Sequence, residues 1–338
     1  MKSASMGDLA LSFRTNQLNT KLKTDLENLT VELSTGRKTE IAASVKGDLN
    51  PLISLERSLA TIDSFSVANT EAALFASTLQ ASLEMAQDIA TEMGQTLLGV
   101  NNTPETNAVQ AASKDARMRF DSVVAGLNTQ VTGRYVLGGT ATDRPPLASP
   151  DDIMASLSAA VTASGAVTAD DVQTVVVAWF DTPGGGFETD AYLGSTTDLT
   201  PFRISDDEVA EMPLRADDQA IRDLLKGFAM ASLVLTGVPG GDVNEQTSLL
   251  VKAGEDVFGA SGTMSVARAS LGATEARINT AAVRNSSEQA AMQLAYLEIT
   301  SADPFETAAK LESVQLQLEA LYTLTARAGN LSLVDYLR

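Results

Sequence analysis

The chain has no cysteine and no histidine in 338 residues, and aromatic residues make up only 5% of it, with a single tryptophan. Without cysteine there is no disulfide framework and no thiol redox chemistry. Without histidine the Ser-His-Asp and Cys-His constellations cannot form, nor can the histidine-based zinc sites. Carboxylate, lysine, serine and tyrosine chemistry remain, so the composition argues against an enzyme and points to no cofactor. The low aromatic content, in a chain that is 44% hydrophobic, favours an interior of Leu, Ala, Val and Met, hence helices packed side by side over a β-sandwich.

Long hydrophobic runs are also missing. The stretch from Phe228 to Val238 is short and interrupted, well below the roughly 20 apolar residues of a membrane span. The first residues, Met1 to Leu11, carry Lys2, Ser3, Ser5 and Asp8 and lack the apolar centre of a cleaved signal. Basic charge is scarce as well. With 24 Lys and Arg against 43 Asp and Glu, the net charge is −19, which repels nucleic acid and anionic membrane surfaces alike. The charge instead keeps an apolar-seamed molecule in solution.

What the sequence does contain is helical periodicity at both ends. Leu18, Leu22, Leu26, Leu29 and Leu33 follow steps of four, four, three and four, which draws one leucine stripe along a helix face. Thr35, Gly36 and Arg37 break it, with Gly36 placed as a left-handed terminator. A second helix opens at Asn50-Pro51. Its seam reads Leu52, Leu55, Leu59, Ile62, Ser66, Asn69, Ala73 and Ala76, then, after a shift of one residue, Leu79, Leu83, Ala86, Ala90, Met93 and Leu97, a coiled-coil pattern with one slip. Thr103-Pro104-Glu105 restarts a third helix carrying Val109, Ala112, Ala116, Val123 and Leu127, ended by Gly133.

The middle of the chain changes character. Pro145, Pro146, Pro150, Pro183, Pro201 and Pro213 fall within it, with Gly184-Gly185-Gly186. Thr174 to Phe180 reads as a strand, and Phe187 to Leu193 as its hairpin partner. Helix returns from about Asp217 with Ile221, Leu224, Leu225 and Phe228. A long helix is expected from Asn244 to about Glu298, although Gly254, Gly259, Gly262 and Gly272 weaken it. Asp303-Pro304-Phe305-Glu306 forms a capping-box start for a last helix with Leu311, Val314, Leu318 and Leu321, ending in Leu331, Leu333 and Leu337. Each terminal stripe would face water alone, so the two ends are expected to pair.

The acidic pairs Asp151-Asp152, Asp170-Asp171, Asp206-Asp207-Glu208 and Asp217-Asp218 have neither EF-hand spacing nor a calcium-binding repeat. They read as solvated loop or helix-start charge, and Trp179 beside Phe180 reads as local core.

Three stretches resemble the flagellin and hook-associated protein family of the bacterial flagellum. Leu29 to Ser44, LTVELSTGRKTEIAAS, is similar to the turn closing the flagellin N-terminal helix. Gly133 to Leu147, GRYVLGGTATDRPPL, resembles the segment that ends the family's rod helix before the outer domain. Leu331 to Arg338, LSLVDYLR, is similar to a hook-associated C-terminus. Two departures from flagellin, Ala42-Ala43-Ser44 where an acidic pair is usual and a C-terminus of Asp335-Tyr336-Leu337-Arg338, favour the members that join hook to filament.

The resemblance implies a mainly α fold. Residues 1–45 and 300–338 would form a terminal axial core, and 46–140 with 214–299 an elongated rod of antiparallel, coiled-coil-like helices. Residues 141–213 would form a small β-rich or mixed domain inserted mid-chain. Gly133, Tyr135, Gly138, Gly139, Thr140, Pro145 and Pro146 would make the turn that orients this insertion. The implied function is structural, in the extracellular flagellum after unfolded type III export. The implied partners are the first hook-associated protein, flagellin, copies of the chain in a ring-like layer, and an export chaperone on the C-terminal stripe. A filament subunit is the alternative within the family. A carboxylate-dependent glycan hydrolase in the insertion is the alternative outside it.

Overall fold

The computed structural model describes residues 4–102 and 105–336, with side chains described within 10–101 and 105–327 apart from Leu11. In chain order the helices are α1 (Ala4–Thr35), α2 (Ile41–Ser44), α3 (Asn50–Gly99), α4 (Thr106–Leu127), α5 (Pro150–Ser164), α6 (Ala169–Asp181), α7 (Gln219–Ser232), α8 (Val243–Thr300) and α9 (Pro304–Tyr336). The strands are short: β1 (Gln130–Val131) pairs with β2 (Arg134–Tyr135), and β3 (Phe202–Arg203) with β4 (Val209–Ala210), both antiparallel. The expectation of a mainly α chain holds. Among the described residues no helix is long and apolar enough to cross a membrane.

The chain divides into two compact units. Unit 1 takes the described residues up to Asp63 and from Ser287 onward, and unit 2 takes Ser64–Ser286. Unit 1 is therefore built from two chain segments remote in sequence and unit 2 from one continuous segment, with α3 and α8 supplying residues to both.

Unit 2 holds the main hydrophobic core. The predicted seam of α3 is buried there at all six positions from Leu79 to Leu97. Farther towards Asn50 the predicted Leu52, Ile62, Asn69 and Ala76 are buried as well, while Phe65 and Ala72 are buried where Ser66 and Ala73 were expected. At the first of these steps the large apolar ring of Phe65 takes the interior position over the polar Ser66. Against this seam lie Val109, Ala116, Phe120, Val123 and Leu127 of α4, Leu224 and Phe228 of α7, and Leu249, Ala253 and Val257 of α8. The α3–α8 approach depends on glycine: a Cβ built at Gly254 would stand 2.9 Å from the Leu97 Cβ and 3.2 Å from the Leu98 backbone nitrogen.

Two sequence expectations fail in the middle of the chain. Residues 174–180 are helix, not strand: α6 begins with a complete capping box, in which Asp171 N donates to Thr168 Oγ1 and Thr168 N to Asp171 Oδ2, both at 3.2 Å. Its buried residues Val172, Val176, Trp179 and Phe180 keep helical spacing, so the cap and the amphipathic face override the strand preference of Val and Trp. The expected hairpin partner is a single wide helical turn over Phe187–Ala191. Phe187 stacks on Phe180 at 5.4 Å, and Trp179 meets Phe180 edge-on at 4.8 Å. Within residues 141–213 helix thus outweighs strand, which is confined to one short hairpin and a single bridge, and the segment is mixed and not β-rich.

Two helix ends also differ. Gly133 does not end α4, which stops at Leu127; with Thr132 it forms the left-handed turn between β1 and β2, at φ +78° and +49°. The glycines of α8 do not interrupt it, because at Gly259, Gly262 and Gly272 the helix continues with open space around each.

Candidate assembly interface

The terminal stripes meet inside unit 1. Helices α1 and α9 pack side by side, and the pairing is antiparallel: Asn19 faces Tyr322, whose hydroxyl lies 3.4 Å from Asn19 Oδ1, while Arg37 bridges Ser301. The contact is thin. Leu22 and Leu318 are its buried leucines, at 9% and 7% exposure. Leu26, Leu29, Leu311 and Leu321 are half-buried, and Leu18 and Leu33 are exposed. The side chains of Leu331, Leu333 and Leu337 lie outside the described residues. One helix can cover only part of a partner's circumference, so a two-helix pairing leaves apolar surface in water. Phe305 is 88% exposed and Phe13 71%, with Leu294, Leu316 and Leu324 each above half.

The Thr35-Gly36-Arg37 turn fixes the pairing at one end. Gly36 closes α1 at φ +67°, and its amide donates to Glu32 O at 2.8 Å, a conformation that glycine adopts without a Cβ penalty. The chain then runs against the α8–α9 connection. Lys38 N donates to Thr300 O and Ala302 N to Gly36 O, each at 2.9 Å, and Lys38 Nζ donates to Ile299 O at 3.0 Å. Glu32 reaches past the turn and accepts from Thr39 N at 2.8 Å and Thr39 Oγ1 at 2.9 Å. Sequence periodicity gives no sign of Glu32, Lys38 or Thr39, because their partners meet only once the turn has formed. At the start of α9, Asp303 Oδ1 accepts from Phe305 N and Glu306 N at 2.8 and 3.1 Å. The second arm of the expected capping box is replaced by an ion pair from Lys310 to Glu306 at 2.7 Å.

The turn residues Gly133 to Pro146 lie in unit 2. Gly138 and Gly139 are buried against the chain at 195–197: Ser195 N donates to Gly138 O at 2.9 Å and Thr140 N to Thr197 O at 3.0 Å. Gly139 sits at φ +60°, and a Cβ there would come within 2.4 Å of Thr197 O. Thr140 Oγ1 donates to Ser195 Oγ at 2.8 Å, Tyr135 N to Thr142 O at 2.9 Å, and Leu193 N to Pro146 O at 2.8 Å. Pro146 is buried and Pro145 half-buried beside it. Gly138, Gly139, Thr140 and Pro146 come together as one joint with residues 192–197, while Gly133 stays apart in the exposed β1–β2 turn.

The acidic pairs serve as caps and ion-pair partners. Asp151 and Asp152 open α5, where Ser149 Oγ accepts from Asp152 N and Asp151 pairs with Arg117. Asp170 pairs with Lys252 at 2.7 Å. The Thr168 hydrogen bonds hold Asp171 below the usual carboxylate range. Arg215 binds Asp217 at 2.7 Å and also Asp198, and the Asp217 bond raises its pKa. Burial pushes Asp218 up, and Tyr192 likewise, whose hydroxyl donates to Ser195 O at 2.7 Å. Among the described residues no group of three or more carboxylates is placed to hold a metal ion.

Residues 257–337, the second part of α8 together with α9, match the family described as the bacterial flagellin C-terminal helical region. None of the curated proteins compared with this chain matches its sequence. Solved structures that resemble it include the Bacillus cereus protein FlgL, 15% identical with a TM-score of 0.49 over 71% of this chain and 97% of that one. Another is a putative flagellar hook-associated protein from Vibrio parahaemolyticus, 14% identical with a TM-score of 0.48 over 73% of this chain and 95% of that one. Over residues 257–337 this chain is thus similar to the C-terminal helical region of bacterial flagellin.

Proposed function

We propose that this chain is a structural subunit joining hook to filament in a bacterial flagellum, exported unfolded and set between the first hook-associated protein and flagellin in a ring-like layer of identical copies. The observation that carries this reading is the state of the terminal helices. α9 lies in the flagellin-like region by sequence, α1 and α9 pair with each other, and together they leave Phe13, Leu18, Phe305, Leu316 and Leu324 in water. Apolar surface of that kind on a strongly acidic chain is accounted for by burial between subunits. The stripes from Leu18 to Leu33 and from Leu311 to Leu337 are then assembly surfaces, the C-terminal one shielded by an export chaperone beforehand. The Gly138–Pro146 joint sets the angle of the segment that follows it.

Junction placement over filament placement follows from the C-terminal Asp335-Tyr336-Leu337-Arg338 and from Ala42-Ala43-Ser44 after the turn. The matched family is itself named for flagellin, which favours a filament subunit as the second reading. Immunogold labelling of isolated flagella separates them. A band confined to the hook end supports the junction subunit, label along the whole filament supports the filament subunit, and no label on flagella overturns both.

A further inference from the structure

One flank of α1 carries a charge pattern that its own chain leaves incomplete. Arg14, Leu18, Lys21, Asp25, Asn28 and Glu32 follow alternating steps of four and three, so they share one edge of the helix beside the leucine seam. Arg14 and Lys21 are exposed and make no ion pair among the described residues. At the other end of the same edge, Asp25 and Glu32 border a groove of about 340 Å³ that Glu40 and Thr39 close on one side and Lys310 and Val314 on the other. Lys310, the groove's cation, is engaged by Glu306, and the groove is left acidic.

The spacing of the charges is regular. Asp25 lies 11 residues after Arg14, and Glu32 lies 11 after Lys21. On a helix that interval is about 16 Å, too far for either cation to reach its carboxylate within one molecule. A second copy lying parallel and displaced by the same interval sets both cations against both carboxylates in one step. Leu18, exposed between the two cations, comes with them towards the groove, where Leu29 is half-buried.

We infer that the groove bordered by Asp25 and Glu32 receives the Arg14–Lys21 edge of α1 from a second copy of this chain, in parallel and displaced by about three helical turns. The inference rests on the reading of the terminal helices as assembly surfaces and adds their register. Exposed ion pairs contribute little to affinity, but they decide which of several apolar alignments is populated.

The absence of cysteine from the chain makes the test direct. The full-length double variant R14C/D25C is expressed in place of the native chain, and isolated flagella are oxidised. Two cysteines about 16 Å apart on one helix cannot join within a molecule, so a disulfide ladder reports contact between copies. A ladder is expected from R14C/D25C and not from K23C/D25C, since Lys23 faces the other side of α1. R14E is expected to lower the amount of chain incorporated and R14E/D25R to restore it, a readout that does not depend on the cysteine variants assembling. Chain present in flagella with no ladder, or with equal ladders from both pairs, overturns this contact and leaves the assembly reading standing. So does R14E incorporating like the unsubstituted chain. Unsubstituted chain absent from flagella overturns the assembly reading and this contact with it.

Discussion

Asn69 on α3 and Asn285 on α8 donate from their side-chain amides to the same acceptor, the Ile204 carbonyl, at 3.3 and 2.8 Å. Both side chains are almost wholly buried, at 2% and 3% exposure. The hairpin of β3 and β4 thereby ties two helices together through one main-chain oxygen. Phe202 of the hairpin packs on Phe75, Arg203 lies over the Phe65 ring, and Glu208 pairs with Arg284 at 2.9 Å. A polar residue at position 69 of an apolar seam looks like a fault in the sequence. In the fold it is one half of a clamp.

Truncating the better-placed amide should therefore cost more than truncating the other. Asn285→Ala leaves the carbonyl with the longer bond only, at an expected cost of about 1–3 kcal/mol. Asn69 Oδ1 is already buried without a partner among the described residues, so Asn69→Ala also removes an unfavourable group and should cost less. Urea unfolding followed by the fluorescence of Trp179, the one tryptophan of the chain and 6% exposed in unit 2, measures both. Equal costs would show that the clamp does not distinguish the two amides.

Two glycines of α8 should respond oppositely to the same substitution. Gly272→Ala meets nothing within 4 Å and should gain up to about 1 kcal/mol from helix propensity. Gly254→Ala drives a methyl against Leu97 and the Leu98 backbone. It should lose about 1–3 kcal/mol to overpacking. The same unfolding assay gives the sign of each.

That pair also marks what sequence alone could reveal. The seam from Leu79 to Leu97 is legible because every third or fourth residue is apolar and the interior takes all of them. The glycines of α8 mislead, because a propensity penalty of about 1 kcal/mol each is small beside the burial of Leu249, Ala253, Val257 and Met264 on the same helix. Residues 174–180 mislead through their β-branched run, although Thr168 followed three residues later by Asp171 is a capping signature available in the sequence. At the candidate interface the leucine stripes are legible. The groove at Glu32 is not, since it exists only once Gly36 has turned the chain back and placed Thr39 against Glu32.

Unit 2 should show a definite response to pH at Asp256. Burial raises its pKa, and Asp223 and Asp181 nearby add to the effect while Lys226 opposes it. Lys226 itself is lowered by burial but raised overall by its bonds to Asp181 and Asp223, at 2.7 and 2.8 Å. The folded state thus binds the Asp256 proton more tightly than the unfolded chain, and ionised Asp256 is a cost to folding above its raised pKa. That cost is relieved as pH falls through the folded value towards 3.8, the ordinary carboxylate value. Asp256→Asn should accordingly stabilise the protein at pH 7–8, by a margin that shrinks as the buffer is acidified. The Lys226 contribution has the opposite range. It is complete below 10.5, the ordinary lysine value, and is lost as pH rises through the higher folded value. A margin for Asp256→Asn that is the same at pH 8 as at the ordinary carboxylate value of 3.8 would sink the assignment.

The two units should differ in local stability in the same molecule. Unit 2 buries a continuous cluster that includes Phe75, Phe120, Phe180, Phe187 and Phe228. The pairing of α1 with α9 has only Leu22, Thr307 and Leu318 below a tenth exposed among its described side chains. Opening free energy follows buried contacts, and two helices alone bury too little apolar area to offset their ordering entropy by much. Amide exchange on the monomer is therefore expected to be fast across residues 10–35 and 305–327 and slow across α4 and α7. In assembled flagella the terminal amides should become protected, because the surfaces at Leu18, Phe305 and Leu324 then gain partners. Slow exchange of the terminal helices in the monomer would mean that the stripes already satisfy each other, and neighbouring copies would have nothing left to complete.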